Sequence, residues 1–205
     1  MSRSDGEVVV ATSNAGKQQE IREILADLPL LIRGLDEFAA VDFPEEGAEY
    51  EPNAVAKAVT AARSTGRPAL ADDSGLEVDG LDGAPGPLSA RYGGPGLSDR
   101  ERAAHLLEQL GDCSGAGRSA RFVCVAALAF PGGEVVTARG ECPGRILTAA
   151  RGAGGFGYDP VFEVSEGVAM AELPAAEKNQ ISHRARALAG LRDALTELIR
   201  APDGA

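Results

Sequence analysis

Two carboxylates stand side by side at Asp72-Asp73, followed by Ser74-Gly75. Adjacent acids repel one another unless a cation or hydrogen-bond donors compensate. Successive side chains of a strand point to opposite faces, so one Asp is expected to face a ligand while the other ties down local backbone. An acidic turn would have the same composition. A second segment, Thr12-Ser13-Asn14-Ala15-Gly16-Lys17, separates an apolar run from an amphipathic one. Small residues let the backbone approach an anion, the N–H groups at a helix start favour negative charge, and Lys17 adds a cation. The GxxxxGK[ST] pattern of a Walker A loop is absent, and an ordinary strand-to-helix turn would also fit.

Two further segments carry potential chemistry. Gly154-Gly155-Phe156-Gly157-Tyr158-Asp159-Pro160 places two aromatics among glycines. That is a poor core design and a good stacking platform, with backbone atoms free to read the edge of a base. A tight turn plugged by aromatics is the alternative. Glu177-Lys178-Asn179 and Ser182-His183-Arg184 follow. Lys178 suits phosphate as a point charge, and Arg184 can bond in a planar, bidentate way. Cations in the first turn of a helix oppose its dipole unless an anion is near, although His183 alone could be a capping or surface histidine. Ser74 lies beside Asp73, but neither His105 nor His183 has grounds in the sequence for activating it. Glu45, Glu46, Glu49 and Glu51 read as a solvated acidic loop.

The elements that must position these groups follow from periodicity. Val8–Ala11 reads as a buried strand, and Ile21, Ile24, Leu25 and Leu28 as one face of a helix. Leu30–Ile32 is a short strand. Pro52 suits the first turn of a helix carrying Val55, Ala58, Val59 and Ala62 inward. Ala69–Ala71 is a strand, and the Gly-, Pro- and Asp-rich stretch from Asp72 to Gly96 is expected to be mostly loop. Ser98 with Glu101 forms a capping box for a helix burying Leu106, Leu107 and Leu110. Ala120–Phe130 and Glu134–Cys142 form a hairpin around Pro131-Gly132-Gly133. Ser182 caps a final helix with Leu188, Leu191, Leu195 and Leu198 on its inner face. Helices flanking a mixed sheet make an α/β protein.

Composition sets limits. The 205 residues fit one domain, residues 1–205, built as two lobes on a shared sheet, with a frayed tail from Ala201. Aromatics are only 4% of the chain, so Val, Leu, Ile and Ala must fill the core. A net charge of −11 argues against a nucleic-acid polymer as partner, which calls for a basic face. It is compatible with a small phosphorylated ligand and a hard cation. Cys113, Cys124 and Cys142 show no CxxC spacing, which argues against a disulfide framework or structural zinc. No apolar run approaches the ~20 residues of a membrane span. The start from Met1 to Glu7 lacks the pattern of a signal peptide. A cytoplasmic protein with no membrane partner is the expectation.

In combination and in this order, the motifs resemble the inosine triphosphate pyrophosphatase family, the Ham1-like purine triphosphate pyrophosphatases. The segments that carry the resemblance are TSNAGK at 12–17, EEGAEYEPNAVAKA at 45–58, ADDSGLEVDGLDGAPG at 71–86, SARYGG at 89–94, GGFGYDPVF at 154–162 and EKNQISHRARAL at 177–188. The resemblance implies a two-lobed α/β fold on a long central mixed sheet, with the active site in the inter-lobe cleft, and a homodimer. It implies hydrolysis of deaminated purine nucleoside triphosphates (ITP, dITP, XTP) to the monophosphate and pyrophosphate, with Mg²⁺ as cofactor. By the same resemblance Asp73 is the proton acceptor and a metal ligand, and Glu45 is the other metal-binding carboxylate. Thr12, Ser13, Asn14, Ala15, Gly16, Lys17, Ser74, Phe156, Gly157, Tyr158, Asp159, Lys178, His183 and Arg184 match substrate contacts. The Phe156–Asp159 segment disfavours a Maf-like enzyme of other base preference. Retention of Asp73 and Glu45 disfavours a nucleotide sensor that does not hydrolyse. Glu49, Pro52 and Pro87-Leu88 depart from the family pattern.

Overall fold

The structure is a computed structural model and describes residues 6–200, so the tail from Ala201 lies outside the described residues. Eight strands form one mixed sheet: β1 Gly6–Val10, β2 Leu30–Gly34, β3 Ala69–Val78, β4 Pro85–Gly86, β5 Ser119–Ala129, β6 Val135–Ile146, β7 Phe162–Ser165 and β8 Val168–Ala169. Their order is β2-β1-β3-β5-β6-β7-β8, with β4 paired to β3. β1 runs parallel to both β2 and β3, whereas β4, β7 and β8 pair antiparallel with their neighbours. Six α-helices are among the described residues: α1 Ala15–Ile24, α2 Tyr50–Thr65, α3 Asp99–Leu110, α4 Ala175–Ile181, α5 His183–Gly190 and α6 Arg192–Arg200. None is long and apolar enough to cross a membrane.

The chain divides into two compact units. The first takes the residues up to Asp73, Cys124–Gly140 and Arg184 onward. Its core is aliphatic, built from Val8, Val10, Ile21, Leu25, Leu70, Leu128, Leu188, Leu191 and Leu195, as the low aromatic content requires. Burying each such Leu, Ile or Val contributes about 1.5–3 kcal/mol. The second unit takes Ser74–Val123 and Glu141–His183. Leu76, Leu106, Leu110, Phe122, Ile146, Tyr158, Phe162 and Met170 form its core.

Several elements differ from the sequence reading. β3 does not stop at Ala71 but runs through both aspartates to Val78. Paired bases replace solvent around Asp72 and Asp73, so two acids can continue a buried strand. Gly75 allows this extension, because a Cβ there would lie 2.0 Å from the Gly86 carbonyl oxygen of β4. α1 ends at Ile24, leaving Leu28 beyond it. The inner face of α2 is carried by Ala54, Ala58, Ala61 and Ala62, with Val55 and Val59 only half-buried. The expected final helix is two helices. Gly190 packs so closely on Ala138 that a Cβ would come within 2.7 Å of its neighbour's, and Leu191 N–H bonds Leu188 O at 3.1 Å instead of continuing the α pattern. Ser182 is extended and stands between α4 and α5. The capping box on α3 forms as expected, with Ser98 accepting from the Glu101 N–H.

Candidate active site

In the first unit, the site grows from the end of β1 and the middle of β3. Asn14 is the N-cap of α1 and accepts from Lys17 N–H at 3.0 Å, while Gln18 Nε2 donates to Thr12 O at 2.7 Å. This Asx-type cap is why a small polar run turns the strand into the helix. Thr12 Oγ1 also accepts from Asn14 N–H at 3.2 Å. No acid lies in the first turn of α1, and Ser13, Asn14 and Ala15 are exposed.

Lys17 reaches back to Asp72, with Nζ 3.0 Å from Oδ2. The same Oδ2 takes Arg184 Nη2 at 3.2 Å, and Arg184 Nη1 is paired with Glu20. Asp72 is 3% exposed and Arg184 1%. Four alternating charges thus lie in a buried row from Glu20 to Lys17. Burial alone would raise the Asp72 carboxyl, yet Lys17 and Arg184 beside it hold it well below the usual aspartate range.

Asp73 sits in a different setting. Asn53 donates to its Oδ2 at 2.9 Å and Lys57 to its Oδ1 at 3.2 Å. Lys57 also bonds Glu46 Oε1 at 2.7 Å. Burial pushes the Asp73 carboxyl above the usual range, against the opposing pull of Lys57 and Asn53. Asn53 further clamps Gly47, accepting its N–H at 2.7 Å and donating to its carbonyl at 3.0 Å. Two carboxylates whose oxygens share one ammonium are a hard-oxygen donor set, which suits a divalent cation that completes its shell with waters and ligand oxygens. Glu45 is exposed, and it is Glu46 that shares Lys57 with Asp73. Among the described residues no three acids, histidines or cysteines gather as a metal cage.

The second unit holds the other predicted residues. Lys178 is 5% exposed and pairs with Asp159, Nζ to Oδ2 at 2.5 Å. Its ammonium lies over the Phe156 ring, 4.8 Å from the centroid. Asp159 Oδ2 also accepts from Phe156 N–H at 2.9 Å, and Gly157 N–H donates to Asp99 at 2.8 Å. These two N–H groups are therefore not the free donors expected from the sequence. Tyr158 is 5% exposed, belongs to the core, and donates its hydroxyl to Ser89 O at 2.9 Å. His183 stacks on Phe122, with centroids 4.8 Å apart and planes 15° apart. Ser74 is half-buried in β3.

The model of the Ham1 family matches residues 8–194, nearly the whole chain. The chain belongs to the Ham1 family. It is 53% identical over 192 residues to the dITP/XTP pyrophosphatase of Geobacter sulfurreducens, covering 92% of this chain and 96% of that one. It is 50% identical to the dITP/XTP pyrophosphatase of Thermus thermophilus over 188 residues, with 91% and 90% covered. Among solved structures, a HAM1 protein from Coxiella burnetii superposes with a TM-score of 0.82 at 41% identity, covering 95% of this chain and 99% of that one. The Mycobacterium abscessus nucleoside-triphosphatase / dITP/XTP pyrophosphatase gives 0.72 at 41% identity, with 90% and 98% covered.

Within this Ham1-family chain the first unit gathers Thr12–Lys17, Asp73 and Arg184, and the second gathers Phe156–Asp159, Lys178 and His183. Sequence reasoning assigned no role to Asn53, Lys57 and Glu20. Asn53 and Lys57 are four apart on α2, a spacing that puts both on one helix face. Glu20 follows Lys17 by three on α1, which is the same signal. Asp99 gives no such sign, because its partner Gly157 is 58 residues away.

Proposed function

We propose that the chain hydrolyses deaminated purine nucleoside triphosphates (ITP, dITP and XTP) to the monophosphate and pyrophosphate. The observation that carries the reading is the split of Asp72-Asp73: one aspartate is tied to Lys17 at the start of α1, and its neighbour shares Lys57 with Glu46. One strand thus offers a fixed phosphate-binding cation and a separate carboxylate for water. The names of the relatives at about half identity support the same chemistry.

In this reading Thr12–Lys17 bind phosphate oxygens through backbone and ammonium groups. Asp73 orients the attacking water and accepts its proton as the bond between the α and β phosphates breaks. Asn53 and Lys57 hold that carboxylate in place. Asp73 and a carboxylate of the Glu45-Glu46 pair would hold Mg²⁺. What supports Glu46 over Glu45 is the ammonium it shares with Asp73. A bound Mg²⁺ supplies charge neutralisation on the leaving pyrophosphate and lowers the pKa of water. Lys17 and Lys178 stabilise phosphate charge in the transition state. Phe156 stacks the purine, with His183, Ser74 and the backbone of the Gly157–Asp159 segment completing the substrate contacts, whereas Arg184, 1% exposed and paired with Glu20 and Asp72, supports the phosphate-side loop through the buried row instead of touching substrate. Cys113, Cys124 and Cys142 form no disulfide, which suits the reducing cytoplasm that this reading assigns. A homodimer is part of the same proposal.

Stacking holds any purine, so discrimination must come from the ring edge. A 6-oxo group accepts hydrogen bonds, and adenine's 6-amino group would leave buried donors unpaired at about 1–3 kcal/mol each. Guanine shares the 6-oxo group, which makes GTP the informative competitor. Pyrophosphate release from ITP, XTP, GTP and ATP tests this through kcat/KM. The expected order places ITP and XTP well above GTP and ATP, and equal values for ITP and GTP would sink the assignment.

A further inference from the structure

We propose that Asp99 is a positioning residue for the base-side loop, acting through the N–H of Gly157. This rests on the reading of Phe156–Asp159 as the base-stacking segment. Asp99 is the first residue of α3, where an acid usually needs no explanation beyond the helix dipole. Here the usual tasks of the helix start are already met by others. Ser98 caps the helix, and Glu101 accepts from both the N–H and the hydroxyl of Ser98, at 2.8 and 2.6 Å. The Asp99 carboxylate instead crosses to a loop 58 residues away and accepts Gly157 N–H at 2.8 Å.

The platform under Asp99 is fixed. Arg102, 8% exposed, forks onto the carbonyls of Tyr92 and Leu97 at 2.6 and 2.8 Å. An exposed carboxylate on a mobile turn would restrain nothing, but this one stands on a capped and braced helix end.

The loop has other anchors. Gly154 N–H bonds Ala171 O at 3.0 Å, Phe156 N–H bonds Asp159, and Tyr158 hydroxyl bonds Ser89 O. Gly157 sits between the last two with φ +62°, a conformation that glycine adopts at little cost and leaves as easily. Asp99 therefore pins a glycine of the loop that its neighbours leave unanchored at the backbone N–H, next to the Phe156 ring that Lys178 covers. Its side chain is exposed, so it can be removed without opening the core.

Asp99→Ala tests the assignment. The variant is expected to melt near the wild-type temperature and to keep kcat within about twofold, while KM for ITP rises about 3- to 10-fold, the span one accessible hydrogen bond carries. Asp99→Asn keeps an acceptor oxygen and should restore most of the KM. Inorganic tripolyphosphate, which lacks a base, should inhibit wild type and Asp99→Ala with the same constant. Hydrogen exchange of the Gly157 amide, followed without ligand, should accelerate in Asp99→Ala while the amides of α3 stay protected. An unchanged KM, or a tripolyphosphate constant that rises in step with it, would overturn the positioning role. Unchanged exchange at Gly157 would overturn the contact itself. A wild-type enzyme that treats ITP, GTP and ATP alike would sink the functional reading instead, and the exchange measurement would still decide the Asp99 contact.

Discussion

Asp72→Asn keeps the shape of the side chain and removes one charge from the row Glu20, Arg184, Asp72, Lys17. The row then changes from balanced to net positive, with Arg184 1% and Glu20 7% exposed. Breaking a buried ion pair by neutralising one partner costs about 3–5 kcal/mol. Lys17 keeps 17% of its side chain accessible and can recover some hydration, so the lower end applies, about 3 kcal/mol. With a urea m-value of about 2 kcal/mol per molar, the midpoint should fall by about 1.5 M. The measurement is equilibrium urea unfolding in metal-free buffer. The pH dependence follows from the direction of the shift. Asp72 is held below its ordinary range in the folded state, so its contribution is fully present above the unfolded value of about 3.9 and is lost as pH falls toward the folded value. The gap between wild type and variant should be constant from about pH 5 to 8 and narrow below about pH 4. Asp73 is present in both proteins and cancels in the difference. A gap under about 1 kcal/mol at neutral pH, or one that is the same in acid, would refute the account of the row as a buried ionic brace.

The remaining predictions concern turnover. Asp73→Asn should lower kcat by about 10²-fold or more, because the amide cannot accept the proton of water, and should lower the urea midpoint by less than Asp72→Asn does, because Lys57 keeps Glu46 as its partner; wild-type turnover in this variant would remove Asp73 from its role. Exhaustive EDTA treatment should abolish pyrophosphate release and Mg²⁺ should restore it, with Glu46→Gln raising the Mg²⁺ concentration needed for half activity more than Glu45→Gln does. Full activity in EDTA would contradict the cation site.

The Asp72-Asp73 pair shows how far the sequence could be read. Alternation along a strand is enough to expect different surroundings for the two neighbours, and they do take different partners, but Asp72 is held by the side chains of Lys17 and Arg184 and not by the local backbone expected of it. What the local sequence hid was the continuation of β3 through the aspartates and on to Val78. Asp, Ser and Gly are poor strand formers, and only partners distant in the chain make their burial tolerable. Lys17, Lys57 and Arg184 come from α1, α2 and α5, and no local pattern announces that they meet at one strand. The start of α1 was readable because its cap lies within three residues. The break at Leu191 was not, since it depends on Ala138 lying against Gly190. Glu45 and Glu46 are indistinguishable by type, and only the position of Lys57 separates them.

Tools for acid and base work are often found where neighbouring groups are pushed to opposite sides of their ordinary values. Asp72 and Asp73 meet that condition through ordinary means. Desolvation does not account for the difference, because Asp72, the carboxyl held low, is buried at least as deeply as Asp73. The difference lies in the cations on each face of the strand. Asp72 has two, Arg184 and Lys17, and stays ionised as an anchor. Asp73 has a single ammonium, which it divides with Glu46, and a neutral amide from Asn53. Its burial is therefore incompletely offset, and its carboxyl is drawn toward the proton. Strand alternation alone assigns the two neighbours to these two environments, so the division between an ionised anchor and a carboxyl drawn toward the proton is set by register rather than by any difference in side-chain chemistry.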